Sequence, residues 1–100
     1  MAQRGLIVYL SGPRSGTEIE LIGSASLGSS DACDVYIQDQ SVEKRQAQID
    51  KGSLGFGILN TGASQTFWVN QVAILPGQSE LLQHGAVVQM GDIQLRFQTY

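Results

Sequence analysis

The sequence predicts an all-β fold, a sandwich or barrel of short antiparallel strands. Its dominant hydrophobic period is two, as in Thr17-Glu18-Ile19-Glu20-Leu21 and Gln46-Ala47-Gln48-Ile49-Asp50. The alternation is cleanest in Ile93-Gln94-Leu95-Arg96-Phe97-Gln98. That period belongs to strands with one buried face. The remaining apolar runs are of strand length, and turn residues separate them at short intervals.

In chain order, Leu6–Leu10 reads as a first strand, ended by Gly12-Pro13 and Gly16 in a hairpin turn. Thr17–Leu21 is its alternating partner. Gly28-Ser29-Ser30 is the next turn, and Val35–Ile37 the next apolar run. Ser41 to Lys51 carries two signals: it lacks Gly and Pro, spaces Val42, Gln46 and Ile49 as a helix would, and offers Ser41 as a cap. A short helix therefore competes there with the alternating strand. Turns at Lys51-Gly52-Ser53 and Asn60-Thr61-Gly62 bracket Phe56–Leu59. Asn70-Gln71 separates Phe67–Val69 from Val72–Leu75, and Pro76-Gly77 follows. His84-Gly85 and Gly91-Asp92 flank Val87–Met90. The last strand turns Ile93, Leu95 and Phe97 inward. No repeat or linker composition interrupts residues 1–100, so a single domain is expected.

Composition narrows the function. At 100 residues, with 42% hydrophobic and 15% charged residues, the chain can bury one core without staples. Six basic residues in a chain of net charge -3 make no nucleic-acid footprint. One Cys and one His leave no internal disulfide and too few ligands for structural zinc, so no metal site is expected. The lone Cys favours a reducing, cytoplasmic setting. No apolar run is long enough for a signal peptide or a membrane helix, so the domain should not insert into a membrane directly.

Catalytic readings fail on inventory. His84 sits between Gln83 and Gly85 in a turn, and Cys33 reads as a small buried apolar residue. Asp31, Asp34 and Asp39 lack the ligand density of a calcium loop. Gly12-Pro13-Arg14-Ser15-Gly16 lacks the Lys-Ser/Thr of a phosphate-binding loop. The chain is expected to be no enzyme and to need no cofactor.

The stretch from Gly28 to Ile49 carries a family resemblance. Gly28, Ser30, Cys33, Asp34, Val35, Ile37, Asp39, Ser41, Val42, Ala47 and Ile49 fit the frame Gly-Arg-Ser, Cys-Asp-Ile-x-Leu-x-Asp, Val-Ser-Arg-x-His-Ala-x-Ile. That frame is the hallmark of the forkhead-associated (FHA) domain, which the chain resembles. Gly62, Val69 and Asn70 fit a second block. Leu82, Gly85, Val88, Leu95 and Phe97 echo the closing ones, and Gly12, Pro13 and Gly16 the opening one. The resemblance implies a two-sheet antiparallel β-sandwich and makes Ala47 to Asp50 a strand.

FHA domains read phosphothreonine with loops at one end of the sandwich, and there this sequence departs from the pattern. Ser29 stands where the family has its phosphate-gripping Arg, and Glu43 where it has a phosphate-bonding Ser. Gln46 replaces the bracing His, Gln65 the ligand-holding Asn, and Thr66 the following Gly. Lys44 alone keeps its place. Losing the Arg–phosphate bond forfeits roughly 1.5–3 kcal/mol. A carboxylate about 4 Å from phosphate adds about 1–4 kcal/mol of repulsion. Together these could remove a micromolar affinity, which is only about 8 kcal/mol.

The resemblance therefore implies an eroded pocket on an intact scaffold: a protein-interaction or assembly module that works without phosphate. FHA-like domains in the inner-membrane rings of bacterial secretion machines are said to serve so. The alternative is a signalling adaptor that still binds phosphothreonine peptides through Lys44 and Arg45, helped by loop serines. Partner-binding candidates are Ser29, Ser30, Glu43, Lys44, Arg45, Ser64, Gln65 and Asn70. Alternation also sets Trp68 opposite Phe67 and Val69, and Tyr36 opposite Val35 and Ile37. These two are candidate exposed anchors, and edge strands offer backbone for strand addition or self-association.

Overall fold

The computed structural model describes residues 4–100. Among them eleven strands form two sheets. In chain order the strands are β1 Gly5–Tyr9, β2 Glu18–Leu21, β3 Ala25–Gly28, β4 Val35–Tyr36, β5 Ala47–Gly52, β6 Gly55–Asn60, β7 Phe67–Val69, β8 Val72–Ile74, β9 Ser79–Leu81, β10 Val87–Met90 and β11 Ile93–Thr99. One sheet has the order β2-β1-β11-β10-β7-β8, the other β4-β3-β5-β6-β9. All pairs are antiparallel except β3 with β4, which run parallel from Leu27 opposite Val35.

Alternation decides which face is buried. Ile7 and Tyr9, Ile49, Phe56 and Ile58, Phe67 and Val69, and Ile93, Leu95 and Phe97 all point between the sheets. Phe56 meets Phe97 edge to face at a centroid distance of 5.3 Å. Each fully buried side chain of this size stabilises the fold by about 1.5–3 kcal/mol. Gly5 lies where this packing is tightest: a Cβ there would come within 2.9 Å of the Phe56 ring.

The segment with two competing signals resolves as strand. Residues 41–46 are loop and turn, and β5 begins at Ala47. Helical spacing lost because Ala47 and Ile49 must fill the core while Gln48 points away, which only a period of two allows. Two strands carried no sequence signal. β3 is built from Ala, Ser, Leu and Gly, and β9 is an exposed edge with no inward residue. The turn expected at Lys51-Gly52-Ser53 lies one step later, since β5 runs through Gly52 and β6 resumes at Gly55. Asn60, expected in a turn, is the last residue of β6 and is buried.

Residues set aside as non-catalytic have structural partners. Cys33 is buried, and its thiol bonds the Lys44 carbonyl at 3.3 Å. His84 is exposed, and its Nδ1 accepts the Thr99 N–H at 3.0 Å. Asp34 accepts from Ser26, and Asp39 from Ser41.

Candidate functional site at the loop end of the sandwich

Three loops converge at one end: residues 29–34 after β3, residues 41–46 before β5, and residues 61–66 between β6 and β7. Backbone bonds stitch the first two. The Ser29 N–H reaches the Glu43 carbonyl at 2.9 Å, and the Ser30 N–H reaches the Lys44 carbonyl at 3.2 Å. Gly28 makes this approach possible, because a Cβ there would collide with the Lys44 carbonyl.

The third loop is held by side chains. The Glu43 carboxylate accepts the backbone N–H groups of Ala63 at 2.9 Å, Ser64 at 3.3 Å and Gln65 at 2.8 Å. Successive N–H groups turned inward make a nest for an anion, and here the anion belongs to the chain itself. The amides of Gln65 and Ala63 hold the Glu43 carboxyl below its ordinary value, against a small opposing effect of burial.

Beneath lies a buried amide pair. Gln46 Nε2 donates to Asn60 Oδ1 at 3.2 Å and to the Gln65 carbonyl at 3.3 Å. Gln46 Oε1 accepts the Glu43 N–H at 3.3 Å. Asn60 Nδ2 donates to the carbonyls of Gln65, 2.9 Å, and Ile74, 2.8 Å, and its Oδ1 accepts the Gly62 N–H at 2.8 Å. No buried side-chain polar atom among the described residues lacks a partner. Gly62 is constrained by this cluster: a Cβ would lie 2.5 Å from a Glu43 carboxylate oxygen and 2.6 Å from Gln46 Nε2.

Of the expected site residues, the fold brings together Ser29, Ser30, Glu43, Lys44, Arg45, Ser64 and Gln65. Lys44 and Arg45 are exposed, and neither forms an ion pair among the described residues. Asn70 is not with them. It sits across the length of β7 in the β7–β8 turn at φ 48°, and its Oδ1 accepts the Val87 N–H at 2.9 Å. Nor is Tyr36 a free anchor: it is half-buried, with the Arg14 guanidinium 5.3 Å above its ring. Trp68 is open, with 40% of its surface exposed.

Asn60 and Ala63 were absent from the expected set. Asn60 was nevertheless legible by phase, since Phe56, Ile58 and Asn60 all fall on the inward face of β6. Ala63 takes part only through its backbone, which no side-chain pattern can reveal.

This two-sheet architecture, with its loops gathered at one end, is the FHA fold. Solved structures agree. The FHA domain of an Arabidopsis thaliana hypothetical protein superposes with a TM-score of 0.87 at 22% identity, covering 95% of this chain and 84% of that one. An FHA domain from Chlamydia trachomatis gives 0.83 at 23% identity, covering 97% and 98%. The FhaA FHA domain, solved in complex with the intracellular domain of another protein, gives 0.81 at 18% identity, covering 94% and 99%. Among curated protein sequences, none matches the chain. A family model matches residues 8–100: the chain belongs to the family "Inner membrane component of T3SS, cytoplasmic domain".

Proposed function

We propose that this domain is an assembly module that binds a protein partner independently of phosphate. The observation that carries this reading is the seating of Glu43. Its carboxylate takes up the three backbone donors that the 61–66 loop turns toward the loop cluster. An approaching phosphate dianion would meet a fixed negative charge and find the nearest amides engaged. Repulsion of about 1–4 kcal/mol at about 4 Å opposes it. Ser29, with no charge of its own, supplies no compensating cation.

Family membership supports the assembly role, since the family is that of a T3SS inner-membrane component. Its partners would then be other parts of that assembly. The FhaA FHA domain, of the same fold, is complexed with the intracellular domain of another protein, which supports a protein partner here. The loops carrying Ser29, Ser30, Lys44, Arg45, Ser64 and Gln65 form the proposed contact surface. Their backbone is ordered before any partner arrives, which lowers the entropy cost of binding.

Lys44 and Arg45 are the observation that favours the second reading, a phosphothreonine reader, because both are exposed and without ion pairs among the described residues. Calorimetric titration separates the two. A degenerate phosphothreonine peptide pool and its unphosphorylated twin should give no binding, or equal binding. Saturable binding to the phosphorylated pool alone would overturn the proposal.

A further inference from the structure

We infer that β8 is a self-association edge, pairing antiparallel with β8 of a second copy of this chain across a two-fold axis. The distribution of charge among the sheet edges carries this inference. A sheet edge exposes unpaired N–H and C=O groups, and proteins commonly guard it with charged residues. Among the described residues, two of the four outer strands follow that rule: β2 carries Glu18 and Glu20, and β9 carries Glu80. β4, two residues long, and β8, three residues long, carry none. β8 lies within Gly52–Ser79, where no residue is Asp, Glu, Lys or Arg.

The same contrast selects the occupant. An edge bearing carboxylates that meets its own copy sets like charges against each other, which destabilises the pairing. Two-fold pairing of β9 about Glu80 would oppose the two Glu80 side chains, and pairing of β2 about Ile19 would set Glu18 against the partner's Glu20. β8, unlike β2 and β9, meets itself without such a clash, and it offers three residues where the uncharged β4 offers two.

Register completes the fit. β8 pairs with β7 as Val69 with Val72, Trp68 with Ala73 and Phe67 with Ile74. In this tight antiparallel hairpin the Val69–Val72 pair exchanges the backbone bonds, so the N–H and C=O of Ala73 point away from β7. A two-fold axis through Ala73 lets it exchange both bonds with the partner's Ala73. It also sets Val72, 51% exposed, beside the partner's Ile74. On the outer face Trp68, the two Ala73 methyl groups and the partner's Trp68 form one row, which covers part of the exposed indole. Three residues make a short edge, so the pairing is of the weak, small-interface class.

The test is sedimentation equilibrium on the full chain from about 10 µM to about 1 mM, a range that captures weak dimers. Wild type should show a monomer–dimer equilibrium with a blue shift of Trp68 emission as concentration rises. Ala73→Glu and Ala73→Lys, both at an exposed position, should each weaken it at least about tenfold by placing like charges face to face. An equimolar mixture of the two variants should restore the dimer. Circular dichroism checks that each variant is folded, and Val72→Lys supplies a second disruption if either is not. A wild type monomeric throughout the range would overturn the inference. So would unchanged association of the variants, or a mixture that stays monomeric. None of these outcomes bears on phosphate dependence, which the peptide titration tests separately.

Discussion

The loop end and the β8 edge solve opposite problems. At the loop end, the 61–66 loop is fastened by polar side chains: Glu43 holds three amides, Asn60 makes four bonds and Gln46 makes three. At β8 the structure places no charge, and leaves Trp68, Val72 and Leu75 between 40% and 51% exposed. The positions that depart furthest from a phosphate-reading pattern are thus closed by the molecule's own groups. The strand with the plainest sequence is the one left open. A loop that holds no external anion need not be loose, because a carboxylate of the chain can satisfy its donors from within.

The contrast can be broken most severely at Asn60. Replacing it with Ala removes the side-chain donor to the Ile74 carbonyl, one of the two side-chain donors to the Gln65 carbonyl, and the acceptor of the Gly62 N–H and of Gln46 Nε2, and should cost about 3 kcal/mol or more. Urea denaturation reads this as a lower midpoint at unchanged slope. Gly62→Ala comes next. Its methyl group would push on Glu43 and Gln46, and about 1–3 kcal/mol is expected from overpacking. Raised hydrogen exchange at Ala63 to Gln65 should locate the damage in that loop.

Glu43→Gln is milder, since a neutral amide oxygen accepts the same bonds more weakly; a loss of about 1 kcal/mol at neutral pH is expected. Its pH dependence sharpens the assignment. The folded-state carboxyl is depressed below the ordinary 4.5 by the loop amides. Its contribution is therefore complete above the unfolded value and is lost as pH falls through the lowered folded value. The wild-type advantage over Glu43→Gln should be present at pH 6 and disappear in acid. Trp68→Ala should change stability least, within about 0.5 kcal/mol, because the indole is open to solvent. A large loss there would show that the outer face is packed more tightly than its exposure indicates.

Much of the fold was legible because alternation reports burial directly. Ile93, Leu95 and Phe97 could only face one way, and the same holds for Ile7 with Tyr9. What stayed hidden lacked that signal. β3 is too small and polar to stand out, and β9 is an edge with nothing buried. The site was half legible. The resemblance gathered Ser29, Glu43, Lys44 and Gln65 at one end, which the strand order alone could not have done. It could not disclose what Glu43 does. Sequence marks it as a carboxylate where a phosphate ligand belongs, whereas its three bonds go to backbone amides of a loop about twenty residues away. Asn70 shows the converse. It fits the family pattern, yet its side chain ties the turn at the far end of β7 to Val87 at the start of β10.

The claim that matters most is that Glu43 is the anion of this loop. It is tested most directly by following the backbone amide resonances of Ala63, Ser64 and Gln65 through an acid titration. The three should shift together at a single midpoint below 4.5, and the shift should vanish in Glu43→Gln. Amides that titrate at the ordinary glutamate value, or that titrate unchanged in the variant, would contradict the account.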